Sequence, residues 1–303
     1  MTASDRVPRS LYPFEGHRID VGGHGYHYLD EGSDEGSGEA LVMLHGNPTW
    51  SFYYRDLVQV LREHHRTLVP DHIGCGFSDK PGDADYRYTL SQRVDDLENF
   101  LDQVDAGTAL TLVLHDWGGM IGMAYAVRHP ERVKRLVLMN TAAFHLPEAM
   151  NFPMALWSVR NTRLGAYCVQ RFNLFSRGAS WLCTVKRLPK EVRDAYCAPY
   201  GTFDDRLATL RFVQDIPLAP GDPAYDTVSV IEGGLEGFRE TPILLLWGLK
   251  DFVFGEPVLE IFEQHWPHAE VHRFPKAGHY VLEDARDEIP GLIQSFVANH
   301  PLS

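Results

Sequence analysis

Short apolar runs alternate along the chain with longer stretches of helical periodicity, the pattern of a sheet layered between helices. The runs Tyr26–Leu29, Leu41–Leu44, Thr67–Pro70, Leu110–Leu114, Arg135–Met139, Ile243–Trp247 and Val271–Phe274 predict strands. Several of them have the unbroken apolar character of central parallel strands, which are covered on both faces. The first is entered through the turn-forming Gly22-Gly23-His24-Gly25. Between the runs, Trp50–Glu63, Leu90–Val104, Gly118–His129 and Ile289–Asn299 predict helices, with Thr89 as N-cap of the second.

The alternation stops once. From Phe144 to roughly Glu240 there is no parallel-strand run, but aromatic residues are frequent, including Trp157, Tyr167, Phe172, Phe175, Trp181, Tyr196 and Tyr200. This predicts an inserted, mostly helical cap over the carboxyl edge of the sheet, where ligands sit in open α/β folds. The expected organisation is core at 1–143, cap at 144–240 and core again at 241–303. Gly32–Gly38, rich in Gly, Ser and acids, predicts a flexible loop.

Composition narrows the partners. The 303 residues are 44% hydrophobic and 23% charged, with a formal net charge of −13. That net charge argues against nucleic acid and anionic membrane surfaces, both of which attract a positive face. Met1 to Ser10 lacks the apolar stretch of a signal peptide, and the apolar runs are too short to span a bilayer. Cys75, Cys168, Cys183 and Cys197 show no CxxC spacing. A cytoplasmic protein with free thiols is expected.

The candidate chemistry lies at strand ends. In Leu112-Val113-Leu114-His115-Asp116-Trp117-Gly118-Gly119 a strand ends in a polar residue, and small residues open a helix. This is the setting of a nucleophile elbow, with a carboxylate at its tip instead of a serine. Leu114 stands where the serine pattern has Gly. A carboxylate is ionised at neutral pH and attacks carbon without an activating base, whereas water attacking the resulting ester does need one. The plain alternative is an Asp that only caps the helix.

The chain order expected of this arrangement is nucleophile, acid, histidine. Asp251 follows Ile243–Trp247 in Gly248-Leu249-Lys250-Asp251, and His279 follows Val271–Phe274 in a loop containing Gly278. Asp116 as nucleophile, Asp251 as acid and His279 as base are therefore the candidate catalytic residues. His45-Gly46-Asn47-Pro48 sits where an oxyanion hole draws one backbone N–H, with Trp117 supplying the other. The Asn47 amide and Trp117 indole add two donors suited to a halide or a carboxylate-like leaving group.

His-Gly-Asn-Pro-Thr-Trp, His-Asp-Trp-Gly-Gly, Gly-Leu-Lys-Asp and Gly-His resemble the haloalkane dehalogenase family of α/β-hydrolases over nearly the whole chain outside the cap. The resemblance implies an α/β-hydrolase fold, a mostly parallel eight-stranded sheet with flanking helices and an inserted helical cap. It implies the same roles for Asp116, Asp251, His279, Asn47 and Trp117. Some members carry the acid after the preceding strand, but here that position reads Leu138-Met139-Asn140-Thr141, without a carboxylate.

Tyr12-Pro13-Phe14, Ser51-Phe52-Tyr53-Tyr54-Arg55, Pro70-Asp71-His72-Ile73-Gly74-Cys75-Gly76 and Ser78-Asp79-Lys80-Pro81-Gly82 look like a sister group, the β-lactone decarboxylases of bacterial olefin biosynthesis. That likeness implies conversion of a cis-dialkyl-β-lactone to a cis-alkene and carbon dioxide. It also implies a hydrophobic small-molecule substrate, no cofactor, and partner enzymes of the same pathway in a larger assembly. Haloalkane dehalogenase, epoxide hydrolase and a catalytically silent ligand receptor are the alternatives. Asn47 counts against the epoxide reading, and the intact set of three against the silent one.

The remaining polar residues read as structural. His115 should point away from Asp116 by strand alternation and serve packing. Asp71 should brace its loop. His265, His268 and His272 have loose metal-like spacing but no supporting Cys or carboxylate cluster, which suits solvated surface. Gly74-x-Gly76 lacks the setting and the Lys of a phosphate loop.

Overall fold

The structure, a computed structural model, describes residues 6–33, 38–147 and 152–302. Its eight strands are β1 (His17–Val21), β2 (His24–Glu31), β3 (Glu39–Leu44), β4 (Arg66–Pro70), β5 (Ala109–His115), β6 (Val133–Met139), β7 (Ile243–Gly248) and β8 (Glu270–Phe274). They form one sheet in the order β1-β2-β4-β3-β5-β6-β7-β8. β1 and β2 pair antiparallel, as do β2 and β4, and all other pairings are parallel.

Twelve α-helices are described. Those of the first part are α1 (Arg55–Leu61), α2 (Leu90–Gln103) and α3 (Trp117–Arg128). Between β6 and β7 run α4 (Met154–Asn161), α5 (Arg163–Phe172), α6 (Leu174–Leu182), α7 (Lys190–Cys197), α8 (Leu207–Gln214) and α9 (Tyr225–Gly234). After β7 come α10 (Glu256–His265), α11 (Val281–Asp284) and α12 (Ile289–Asn299). Thr89 caps α2 as expected, its side chain accepting from the Gln92 N–H.

The central strands are apolar on both faces because each serves two cores. On one side Val42, Leu44, Leu112, Leu114, Leu136, Leu138 and Leu245 pack with Leu97 and Phe100 of α2 and Ile121 and Tyr125 of α3. On the other side the alternate residues Leu41, Met43, Val113, Val137, Leu244 and Leu246 pack with Leu57 and Leu61 of α1 and Ile293 and Val297 of α12. Each such side chain stabilises the fold by up to about 1.5–3 kcal/mol through burial. One-residue slips would move a strand's whole apolar set to the wrong core.

Between β6 and β7 every described regular element is helical. Val159, Val169, Leu210 and Val213 form a separate small cluster there, whereas Val228 and Ile231 of α9 join the main core.

Several local expectations change. β1 was not among the expected strands, because it is an edge strand whose His17, Arg18 and Asp20 leave little apolar signal. Gly22 and Gly23 alone make the β1–β2 turn, both at positive φ, and His24 and Gly25 already belong to β2. The expected helix Trp50–Glu63 is a 3₁₀ turn, Ser51–Tyr54, followed by the shorter α1. α10 was also missed, although a parallel β7–β8 pair requires a crossover. Most of the expected Gly32–Gly38 loop lies outside the described residues.

Candidate active site

β5 delivers His115 into the sheet and turns at Asp116, which takes φ 51° and ψ −128° before α3 begins. A non-glycine residue in this region is strained and persists where the surroundings hold it. Two glycines make room. A Cβ at Gly118 would run into the Leu44 carbonyl, and one at Gly46 into the Asp116 side chain. The Asp116 backbone is fixed by Thr141 Oγ1, which donates to its carbonyl at 2.6 Å.

The carboxylate oxygens of Asp116 have different partners. Oδ1 accepts the Trp117 backbone N–H at 2.5 Å, so the cap bond expected of an ordinary helix start is present. Oδ2 lies 3.4 Å from His279 Nε2. His279 Nδ1 in turn lies 2.8 Å from Asp251 Oδ2. The structure thus brings together the three residues expected at three strand ends, in the order Asp116, His279, Asp251.

The environment sets the charge of His279. Burial alone disfavours its imidazolium, but Asp251 and Asp116 on either side raise its pKa to about 10. The two flanking carboxylates thus favour the protonated ring. Loss of the Asp116 charge on ester formation would remove one of the two groups that hold the proton, which moves the ring toward a free base.

Three residues that support this set were not picked out from the sequence in that role. Asn140, read only as a position lacking a carboxylate, is buried and binds the acid loop: Nδ2 donates to Asp251 Oδ2 at 3.0 Å and to the Gly248 carbonyl at 3.0 Å, while Oδ1 accepts the Gly248 N–H at 2.8 Å. His115 is packed as expected, against Tyr53, but it also donates from Nε2 to the His279 carbonyl at 2.8 Å. Burial holds His115 well below the usual imidazole range, so it is neutral and that nitrogen carries the proton. Thr209 of α8 takes the third supporting role, through its carbonyl.

That carbonyl accepts one hydrogen of the Asn47 amide at 3.0 Å. One of the two Asn47 amide hydrogens is therefore engaged, and the Thr209 carbonyl that takes it orients the other. Asn47 and Trp117 both line the cavity above Asp116, with the Trp117 ring against Phe212 at 5.3 Å. His45 braces the same loop, donating from Nδ1 to the Gly46 carbonyl at 2.8 Å and accepting the His72 N–H on Nε2 at 3.1 Å.

The cavity is about 1060 Å³ and mostly apolar, walled by residues such as Met120, Phe144, Leu156, Val159 and Phe175. Asp116 and His279 line it together with Asn47 and Trp117, and His145 and Tyr225 also reach it. A large apolar space over one polar cluster suits a hydrophobic small molecule reacting at one end.

Other sequence-noted groups lie elsewhere. Asp71 does brace its loop, accepting the Ser51 N–H at 2.7 Å and the Phe77 N–H at 2.9 Å and lying 2.8 Å from His27 Nδ1. Despite burial, these partners hold its pKa at about 2. His268 and His272 bond to the Thr241 carbonyl and to Glu270, and among the described residues no cluster of His, Cys, Asp and Glu is placed to hold a metal ion. No helix is long and apolar enough to cross a membrane among the described residues.

Comparison with known proteins agrees with this architecture. Residues 39–285 match the family model described as alpha/beta hydrolase fold. A cis-3-alkyl-4-alkyloxetan-2-one decarboxylase from Shewanella oneidensis is 53% identical, the match covering 95% of this chain and 90% of the relative. A protein of the same name from Xanthomonas campestris pv. campestris is 45% identical, over 96% and 98% of the two chains. A haloalkane dehalogenase from Mycolicibacterium paratuberculosis is 32% identical, over 94% and 93%. Among solved structures, the haloalkane dehalogenase DatA from Agrobacterium tumefaciens superposes with a TM-score of 0.85 at 26% identity, covering 97% of this chain and 100% of that one. The chain belongs to the α/β-hydrolase-fold family, on its haloalkane-dehalogenase-like branch.

Proposed function

We propose that the protein is a β-lactone decarboxylase that converts a cis-3-alkyl-4-alkyloxetan-2-one to a cis-alkene and carbon dioxide, with Asp116 as nucleophile. The observation that carries the substrate is the 53% identity to the Shewanella oneidensis decarboxylase, against 32% to the dehalogenase. The cavity supports it: about 1060 Å³ of mostly apolar space accommodates two alkyl chains.

In this reading Asp116 Oδ2 bonds to a ring carbon as a ring C–O bond breaks, and ring strain helps the step. The freed oxygen gains negative charge beside the remaining Asn47 amide hydrogen and the Trp117 indole, donors that are positioned before the charge develops. The carboxylate freed in this way loses carbon dioxide, and its electron pair forms the C=C bond as the bond to Asp116 breaks, which gives the alkene and returns Asp116 as a carboxylate. His279, oriented by Asp251, activates water to release any ester left on Asp116. Asn140 holds Asp251 in place for that step. The cap is residues 144–240, and the protein works in the cytoplasm beside other enzymes of olefin biosynthesis.

A second reading has one specific support, the Asn47–Trp117 pair, which suits a halide leaving group as well as a carboxylate. Purified enzyme assayed side by side with a cis-dialkyl-β-lactone and with 1-bromobutane or 1,2-dibromoethane separates the two. Alkene with little bromide is the expected result. Rapid bromide release without alkene would make the protein a dehalogenase with the same nucleophile.

A further inference from the structure

The cap carries a surface at odds with the rest of the molecule. Residues 152–190 hold seven Lys and Arg and no Asp or Glu, in a chain whose net charge is −13. Arg160 pairs with Asp222 and Lys190 with Asp194. The other five, Arg163, Arg171, Arg177, Lys186 and Arg187, are exposed and have no acidic partner among the described residues.

The same segment exposes large apolar side chains. Met154 is 74% exposed, Leu164 73% and Leu182 70%, and Trp157, Tyr167 and Trp181 are each about half exposed. They are not scattered. At about 100° per residue, Arg163, Leu164, Tyr167 and Arg171 fall within one arc of α5, and Leu174, Arg177, Trp181 and Leu182 within one arc of α6. The Arg187 guanidinium lies 4.2 Å from the centre of the Trp181 ring. A contiguous exposed apolar patch marks a partner surface, and basic residues interleaved with Trp, Tyr and Leu are the make-up of helices that lie in a bilayer interface.

The patch also surrounds an opening. Leu164, Leu174 and Leu182 line the cavity above Asp116 and are exposed at the surface, so the cavity mouth opens through it.

We propose that the outer face of α4–α6 docks on the surface of an anionic phospholipid bilayer, setting the cavity mouth against the lipid. Charge decides for lipid over bulk water as the face's neighbour. Arg163, Arg171 and Arg177 on these helices, with Arg187 held against Trp181 beside them, meet an anionic headgroup layer, while the protruding Leu, Met and Trp side chains reach below it. The net charge of the whole chain conceals this, because the acids lie outside the segment. The inference is independent of which hydrophobic substrate the enzyme takes.

The test is flotation of the full chain with vesicles of phosphatidylcholine and phosphatidylglycerol in equal parts, and with phosphatidylcholine alone. The protein is expected to float with the anionic vesicles only and to dissociate as salt screens the contact. Emission should shift to the blue, since Trp157 and Trp181 are exposed while the other four tryptophans are buried. An Arg163→Glu, Arg171→Glu, Arg177→Glu variant should melt like the wild type and bind at least about fivefold more weakly per position changed. Failure to float with anionic vesicles overturns the proposal, as does equal, salt-insensitive binding to both vesicle types. A dimer that the same three changes convert to monomer, with no vesicle binding, would assign the face to a second copy of the chain instead.

Discussion

Asn140 Nδ2 and Asp251 Oδ2 lie 3.0 Å apart, joining the end of β6 to the loop after β7. Asn140 also takes up both polar atoms of Gly248, so a single side chain sets the path of the loop that carries Asp251. Asn140→Ala should lower kcat about 10²-fold through misplacement of Asp251 while KM changes little. Steady-state kinetics with a fold check by circular dichroism tests this. A KM effect with normal kcat would remove Asn140 from the positioning of Asp251.

His279 is held 3.4 Å from Asp116 and is the base proposed for the second step. His279→Gln should leave attack by Asp116 intact and stop release by water. Incubated with a bromoalkane, whose ester has no carboxylate to lose, this variant should accumulate a covalent adduct, read by intact-mass spectrometry as the added mass on the peptide containing Asp116. Asp116→Ala should show neither adduct nor turnover. An adduct on any other residue would reassign the nucleophile.

The pKa of His279, raised to about 10 by Asp251 and Asp116 against the opposing effect of burial, also gives stability a pH dependence. A group whose folded pKa is raised stabilises the fold fully below its unfolded value, about 6.5 for imidazole, and loses that contribution as pH rises through about 10. The urea midpoint should therefore decline across the alkaline range. In His279→Gln that component of the decline should be absent, and identical alkaline profiles for the two proteins would show that the ring is not held as a cation.

Arg55 and Glu283 form a buried double contact, at 2.6 and 2.9 Å, and Tyr196 of α7 donates to the same Glu283. This ties the helices above the sheet to α1 and α11. Glu283→Ala leaves a buried guanidinium without its partner and should cost about 3–5 kcal/mol, a fall in Tm of about 10 °C. Replacing Arg55 and Glu283 together by Leu should recover most of that loss, as differential scanning calorimetry can measure. Equal loss in the single and double variants would show that packing, not the pair, is what the site supplies.

Much of this arrangement is legible in the sequence because it depends on strand ends. Apolar runs reveal where Ile243 and Val271 enter the sheet, and the residues just past those runs, Asp251 and His279, follow by position. The elbow is visible for the same reason. What is not legible depends on contacts between distant residues. Thr209 reaches Asn47 across 162 positions and Asn140 reaches Asp251 across 111, with nothing local to mark either. β1 was hidden because its polar positions face solvent. The basic character of residues 152–190 was hidden differently, by averaging charge over a chain whose acids are elsewhere.

Gly46 is a position defined by an atom it lacks. Its missing Cβ is where the Asp116 side chain sits, so the two residues share one small volume, and only one of them can fill it. Substitution here removes no donor, acceptor or charge, yet it evicts the carboxylate as surely as changing Asp116 would. Tolerance maps of this enzyme should therefore show a silent backbone position as unforgiving as the reactive one, an intolerance that no inventory of functional groups would record.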